Sequence, residues 1–173
     1  MTRIEAFLTD RNVLLGALIV VVVCMLGFQE LDSRLGYPIL DSKGGYDFLF
    51  ARERLADYGE AGRTLYARAA LTLDLVFPLA VGVLFGGLLV RFAAWPVLRH
   101  LAWVVAALVA LDLAENIQLV MLLTAFPDID EMAVAAVSQT TSIKWMTAFL
   151  VFALVAAQFL VRLGQAAYRR FNS

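Results

Sequence analysis

The stretch HLAWVVAALVALDLAENIQLVMLLTAF, residues 100–126, decides the fold because nearly every position in it is apolar. An α-helix rises about 1.5 Å per residue, so about 20 apolar residues cross the hydrocarbon core of a bilayer. Residues 100–126 exceed that length and predict a transmembrane helix. Asp112 and Glu115 interrupt the apolar pattern and are therefore the first candidates for function.

Three other apolar runs resemble this one, at 12–29, 67–90 and 141–163. Hydrophobic residues make up 62% of the 173-residue chain, whereas they account for about half of an ordinary soluble domain. We therefore predict an all-α, polytopic membrane protein in which residues 1–173 form a single bundle of four transmembrane helices. The first run is expected to stay uncleaved, because the segment after it lacks the small-residue pattern of a signal-peptide cleavage site.

The distribution of basic residues predicts the orientation of the bundle. Arginines lie near the N-terminus, in the turn between the second and third runs (Arg91 and Arg99) and near the C-terminus, whereas 127–140 has no Lys or Arg. Because short cytoplasmic loops are enriched in Lys and Arg, both termini are expected to be cytoplasmic, in a multi-pass protein of the plasma or inner membrane type. The long first loop, 30–66, would then be extracytoplasmic, although it also contains basic residues.

The first loop is predicted to contain one short helix. Residues 35–46 include Pro38 and two consecutive glycines, which favour an irregular chain. Residues 47–58 have a helical pattern with an apolar side formed by Phe48, Ala51, Leu55 and Tyr58. This pattern predicts an amphipathic interfacial helix with its apolar side in the acyl chains, and packing against the outer ends of the bundle is an equal alternative.

Charged side chains in three of the apolar runs predict a buried polar cluster. Asp74 lies in the second run, Asp112, Glu115 and Asn116 share one face of the third, and Lys144 lies in the fourth. On the predicted topology they meet in the outer half of the bundle. An ionised Asp or Lys at the bilayer centre costs about 2.5–3.5 kcal/mol, whereas an interhelical hydrogen bond contributes about 0.6 kcal/mol. These magnitudes favour a functional role over purely structural packing.

Each polar residue of the cluster has an expected role. Asp112 and Glu115 are the candidate catalytic acid and base, because a protonated carboxyl beside a carboxylate suits proton transfer. The side chains expected to bind a ligand are those of Asp74, Asn116, Lys144 and Thr147.

Proline and glycine residues in the second run predict local features of that helix. Pro78 lacks the N–H that would bond the main-chain carbonyl of Asp74, so this carbonyl is expected to be a free acceptor. Gly82 and Gly86 have the spacing of a small-residue pair and are expected to allow close helix packing.

The cluster is compatible with three classes of function. The one we favour is binding or acid–base processing of a small amphipathic or lipid-derived ligand. A proton- or cation-coupled transporter or channel subunit is the first alternative. The second is a non-catalytic assembly partner whose buried charges pair with another membrane protein. Whether the protein is an enzyme stays open at this stage.

Several other chemistries find no support in the sequence. Cys24 is the only cysteine and His100 the only histidine, which argues against a CxxC redox centre and a bis-histidine metal site. No cofactor or metal is predicted, although a hard divalent cation on the carboxylates would be chemically suitable. There is no basic patch with interleaved aromatics, so nucleic acid is not expected as a partner. The expected partners are the lipid bilayer, a small amphipathic ligand, and a second copy of the chain or another membrane protein.

Overall fold

The computed structural model describes residues 2–171, and over this range its regular secondary structure consists of helices, without strands. The all-α prediction is therefore confirmed. Two short 3-10 helices, Leu40–Ser42 and Pro96–Leu101, lie in connections. The α-helices are α1 (Arg3–Leu8), α2 (Arg11–Leu35), α3 (Phe48–Asp57), α4 (Gly59–Ala70), α5 (Leu73–Phe92), α6 (Ala102–Ala125) and α7 (Glu131–Phe171).

Four helical stretches of the described chain are long and apolar enough to cross a membrane: Arg11–Leu35, Gly59–Phe92, Pro96–Ala125 and Glu131–Phe171. Each overlaps one of the four predicted runs, and the first two extend into the predicted first loop, 30–66. α5 lies at the centre of the bundle and packs against α2, α6 and α7. α7 has 41 residues, a length of about 60 Å, so it extends beyond the predicted 141–163 at both ends.

The second candidate span is not one continuous α-helix, in contrast to the single run predicted for 67–90. α4 ends at Ala70 and α5 begins at Leu73. The last turn of α4 tightens because the Thr72 N–H bonds the carbonyl of Ala69, three residues back, at 3.2 Å. The Thr72 hydroxyl also donates to the carbonyl of Arg68 at 2.7 Å. The helix therefore breaks at residues 71–72, two residues before Asp74.

The helix in the first loop packs its apolar side against the bundle. Ala51 and Leu55 of α3 are fully buried, and Tyr58 is buried immediately after the helix. The Asp47 carboxylate accepts a hydrogen bond from the Phe50 N–H at 2.8 Å and caps the helix N-terminus. Three of the four residues of the predicted apolar side therefore lie in the protein interior, and the fourth, Phe48, is partly buried against the same cluster.

A layer of buried polar side chains separates two hydrophobic clusters. We call it the polar layer, and its members are Asp41, Asp74, Asp112, Glu115, Asn116, Thr141 and Lys144. The first cluster lies at the end of the bundle nearest the first loop and includes Leu31, Leu55, Tyr66, Leu119 and Val134. The second lies toward the chain termini and includes Leu14, Val81, Leu84, Val105 and Val151. Asp112 and Glu115 fall between Leu108 of the second cluster and Leu119 of the first, so α6 carries its polar face between the two apolar regions.

Close packing along α5 involves a different glycine pair from the predicted one. A Cβ atom at Gly82 would lie 2.9 Å from Val109 Cγ2 of α6, as expected for a packing residue. At Gly86 no atom lies within 4 Å of a Cβ, whereas at Gly87 a Cβ would be 2.2 Å from the carbonyl oxygen of Leu8. The close approach at Gly87 is made by the short N-terminal segment, which apolar periodicity does not reveal.

Candidate functional site

Lys144 of α7 lies at the centre of the polar layer, where its ammonium group contacts three carboxylates. Nζ is 3.5 Å from Asp41 Oδ2 and 3.3 Å from Asp112 Oδ1, and it also contacts Glu115 Oε2. Asp112 and Glu115 are three residues apart on α6, a spacing that places both on the face turned toward α7. We call Lys144 and its three carboxylate partners the ion cluster.

Glu115 is the most deeply buried member of the ion cluster, with no exposed surface. Its Oε1 atom is hydrogen-bonded to the hydroxyl of Thr141, which is also fully buried on α7. The same hydroxyl lies 3.1 Å from the carbonyl oxygen of Val137. A threonine hydroxyl has one proton. The two acceptors therefore share that proton, unless Glu115 carries a proton of its own and donates it to Thr141.

Asp41 belongs to the ion cluster, although the sequence placed it in irregular chain. The 3-10 helix Leu40–Ser42 carries it into the layer, where it is 5% exposed. Tyr66 Oη donates to Asp41 Oδ1 at 2.5 Å, and Trp145 Nε1 donates to the Asp41 carbonyl at 3.0 Å. The only feature of the sequence that could have indicated the burial of Asp41 is local: this acid directly follows the apolar residues Pro38, Ile39 and Leu40.

The segment after Asp41 is tied to α7. The Tyr46 N–H donates to Ser138 Oγ at 2.8 Å, and the Ser142 hydroxyl donates to the Gly44 carbonyl at 2.9 Å. Gly45 has a φ of 150°, and a Cβ there would lie 2.8 Å from Ser142 Oγ. Residues 41–46 are thus attached to α7 at several points close to the ion cluster.

The pKa values of two tyrosines in the first loop, Tyr46 and Tyr58, are raised. Burial of the Tyr46 hydroxyl raises its pKa, and the negative charges of Glu115 and Asp41 add to this effect. Burial also raises the pKa of Tyr58, whose hydroxyl donates to the Pro38 carbonyl at 2.6 Å. Both phenols are therefore neutral across the physiological range.

Asp74 and Asn116 form the second part of the polar layer. Asn116 Nδ2 donates to the main-chain carbonyl of Asp74 at 2.5 Å, and both residues are buried. Among the described residues, no hydrogen bond or ion pair reaches the Asp74 carboxylate. Asn116 Oδ1 is likewise buried without a hydrogen-bond partner. These two groups are available for interactions that the rest of the structure does not supply.

The predicted site residues differ in how closely they associate. Asp112, Glu115 and Lys144 are in direct contact, and Asn116 is joined to the backbone of Asp74. Thr147 is only partly buried, and its hydroxyl donates to the carbonyl of Ile143 in its own helix at 2.8 Å. Thr141, which was not among the predicted site residues, provides the threonine contact instead.

The polar layer has more acidic than basic groups. Asp41, Asp74, Asp112 and Glu115 are all buried together with Lys144. If every group were ionised, the layer would have a formal excess of three negative charges, which is costly in a low-dielectric interior. Within residues 2–171, no group of three or more His, Cys, Asp and Glu side chains is arranged to hold a metal ion. Protons on the carboxyl groups or a bound cation would balance the charge.

No protein-family model matches the chain, and comparisons with curated proteins and with solved structures find no match either. The function is therefore inferred from the residues of the polar layer.

Proposed function

We propose that this protein binds a small amphipathic or lipid-derived molecule at the polar layer and exchanges a proton with it through Asp112 and Glu115. The observation that carries the proposal is the contact of Lys144 with several buried carboxylates at once, in a layer with excess acidic groups. A carboxyl in such a layer can bind a proton while its neighbour stays ionised, which is the arrangement that general acid–base chemistry uses.

The residues of the layer divide into two roles in this proposal. Glu115 holds or releases the proton, because it contacts both Lys144 and the hydroxyl of Thr141. Asp112 is slightly more accessible, at 7% exposed, so in this proposal it is the acid that an entering ligand would meet first. The free Asp74 carboxylate and Asn116 Oδ1 would orient the polar end of the ligand.

The charge of the layer indicates which polar end would bind best. A ligand with a protonated amine or a hydroxyl donor reduces the excess negative charge, whereas an anion would increase it. The apolar part of the same molecule would lie against one of the two hydrophobic clusters that flank the layer. An amphipathic amine or alcohol therefore fits the site best.

Mass spectrometry of small molecules retained by the purified protein tests this proposal. Wild type is compared with Glu115→Gln at matched thermal stability, and Thr147→Val serves as a control because its hydroxyl bonds only to its own helix. We expect a molecule that is retained by wild type and by Thr147→Val but lost from folded Glu115→Gln. Equal retention by all three proteins would contradict a ligand site at Glu115.

A proton- or cation-coupled transporter is the second candidate, favoured by the helix break before Asp74. Discontinuous helices with buried acids occur at ion sites of transporters, and α4 and α5 separate two residues before the buried Asp74 carboxylate. Flux measurements in liposomes distinguish this function from the ligand site. If wild type moves protons or cations and Asp74→Asn does not, the transporter proposal is supported and the ligand-site proposal is rejected. Assembly with another membrane chain, the third class, would instead yield a stoichiometric partner on purification.

A further inference from the structure

Two basic side chains of the first loop stack on aromatic rings at the edge of a shallow depression. Lys43 Nζ lies 3.8 Å from the centre of the Phe50 ring. Arg54 Cζ lies 4.5 Å from the centre of the Tyr37 ring and 5.2 Å from that of Phe50. These cation–π contacts hold both positive charges at one place.

The two basic groups have no acidic partner in the described structure. No ion pair joins Lys43 or Arg54 to a carboxylate of residues 2–171. In contrast, Arg34 is paired with Glu30 at 2.8 Å. Positive charges that are held in place without a counter-ion form a suitable site for an anion.

The floor of the depression is apolar. The depression has a volume of about 280 Å³ and is lined by Pro38, Ile39, Leu40 and Phe50 together with Ser42, Lys43 and Arg54. A bare phosphate would use only the basic edge, whereas a molecule with an apolar portion would also cover the floor. The lining is therefore complementary to an anionic amphiphile.

We propose that this depression binds the phosphate group of an anionic phospholipid, with Lys43 and Arg54 as its ligands and the first part of the acyl region over Ile39 and Phe50. The site is separate from the ion cluster and would take the opposite charge. The two are linked through the chain, since Leu40 lines the depression and the next residue, Asp41, contacts Lys144. A bound phospholipid would thus stabilise the turn that places Asp41.

Thermal unfolding of the full chain in a neutral detergent tests the proposal. The protein is titrated with short-chain phosphatidylglycerol, with phosphatidylcholine of the same chains, and with glycerol phosphate as the soluble head group. The variants are Lys43→Gln and Arg54→Gln. Arg52→Gln is the matched control, because Arg52 lies on the same helix, is exposed and does not line the depression.

We expect phosphatidylglycerol to raise the unfolding temperature of wild type and Arg52→Gln in a saturable way. Each basic residue near a lipid surface contributes about a fivefold gain in affinity. Lys43→Gln and Arg54→Gln should therefore each need about fivefold more lipid for half the effect. An equal effect of phosphatidylcholine, or an equal loss in Arg52→Gln, would overturn the proposal. A shift of the same size with glycerol phosphate would overturn the assignment to a lipid.

Discussion

The side chain of Asn116 on α6 donates a hydrogen bond to the main-chain carbonyl of Asp74 on α5, with Nδ2 and O 2.5 Å apart. This carbonyl lacks the usual helical partner because residue 78, four positions along, is a proline without an N–H. A backbone acceptor freed by Pro78 is therefore satisfied by a side chain from the neighbouring helix. The pair fixes α5 against α6 at the level of the polar layer.

The Asn116 hydrogen bond should depend on Pro78. Asn116→Leu removes the donor and leaves the Asp74 carbonyl buried without a partner, which should lower the free energy of unfolding by about 1–3 kcal/mol. In a Pro78→Ala background the new N–H can bond the carbonyl, so the same substitution should cost less. Unfolding in mixed micelles of both single variants and the double variant measures the coupling, expected at about 1 kcal/mol.

If the effects of Asn116→Leu and Pro78→Ala on the free energy of unfolding are additive in this double-mutant cycle, the proposed link between Asn116 and the carbonyl freed by Pro78 is contradicted. The cycle also corrects for a direct effect of Pro78→Ala, since the proline is itself buried and its replacement changes packing.

Removing the ammonium group of Lys144 should strongly destabilise the protein. Lys144→Met would leave the carboxylates of Asp41, Asp112 and Glu115 buried without their shared cation, and breaking a buried ion pair on one side costs about 3–5 kcal/mol. Thr147→Val, on the same helix, should change the free energy of unfolding by less than about 0.5 kcal/mol. Equal effects of the two substitutions on the free energy of unfolding would contradict the role of Lys144 as the shared cation of the ion cluster.

The hydroxyl of Thr141 should matter more than that of the adjacent Thr140. Thr141→Val leaves Glu115 Oε1 without its hydrogen-bond partner, with an expected cost of about 1–3 kcal/mol. The Thr140 hydroxyl donates only to the carbonyl of Ala136 in its own helix at 3.0 Å, so Thr140→Val is the matched control. Retention of bound small molecules should fall in Thr141→Val and persist in Thr140→Val.

Periodicity and charge predicted much of the fold and part of the candidate site. The long apolar runs correspond to the candidate spans because helix length and the thickness of a bilayer are physically linked. Asp112, Glu115 and Lys144 could be chosen because a charge within an apolar run is costly. The three-residue spacing of Asp112 and Glu115 then placed both acids on one side of α6.

The contribution of Asp41 could not be predicted in the same way. It lies in a 3-10 turn of a loop, where neither helical nor strand periodicity indicates which side chains face inward. Thr147 was predicted in place of Thr141 for a related reason. Helical spacing shows which residues share a face of α7, but it does not fix which of two adjacent faces points to the interior. The break before Leu73 depends on a hydrogen bond from the Thr72 N–H to Ala69, which composition does not reveal.

Stability should fall at alkaline pH as the buried phenols of the first loop ionise. Burial raises the pKa of Tyr58 in the folded protein above the value of about 10 in the unfolded chain. The stability that this difference contributes is fully present below pH about 10 and is lost as the pH rises toward the folded-state pKa. Tyr58→Phe should flatten the alkaline decrease and cost about 1 kcal/mol at neutral pH through the hydrogen bond to Pro38.

Chemical unfolding at a series of alkaline pH values measures this difference. A Tyr58→Phe variant with the same alkaline slope as wild type would show that other groups, such as Tyr46, dominate it.

Adjacent glycines on α5 should respond in opposite ways to the addition of a methyl group. In Gly87→Ala the new Cβ would lie 2.2 Å from the Leu8 carbonyl oxygen and 2.7 Å from Leu14 Cδ2, so the N-terminal segment must move. Overpacking of this kind costs about 1–3 kcal/mol. Gly86→Ala meets no atom within 4 Å and should raise the free energy of unfolding by about 0.5–1 kcal/mol, since alanine favours helix more than glycine. Thermal unfolding of both variants in the same detergent measures the difference. Each variant is a control for the other, because the two residues are neighbours on one helix. A destabilised Gly86→Ala with a tolerated Gly87→Ala would show that the N-terminal segment does not pack against α5.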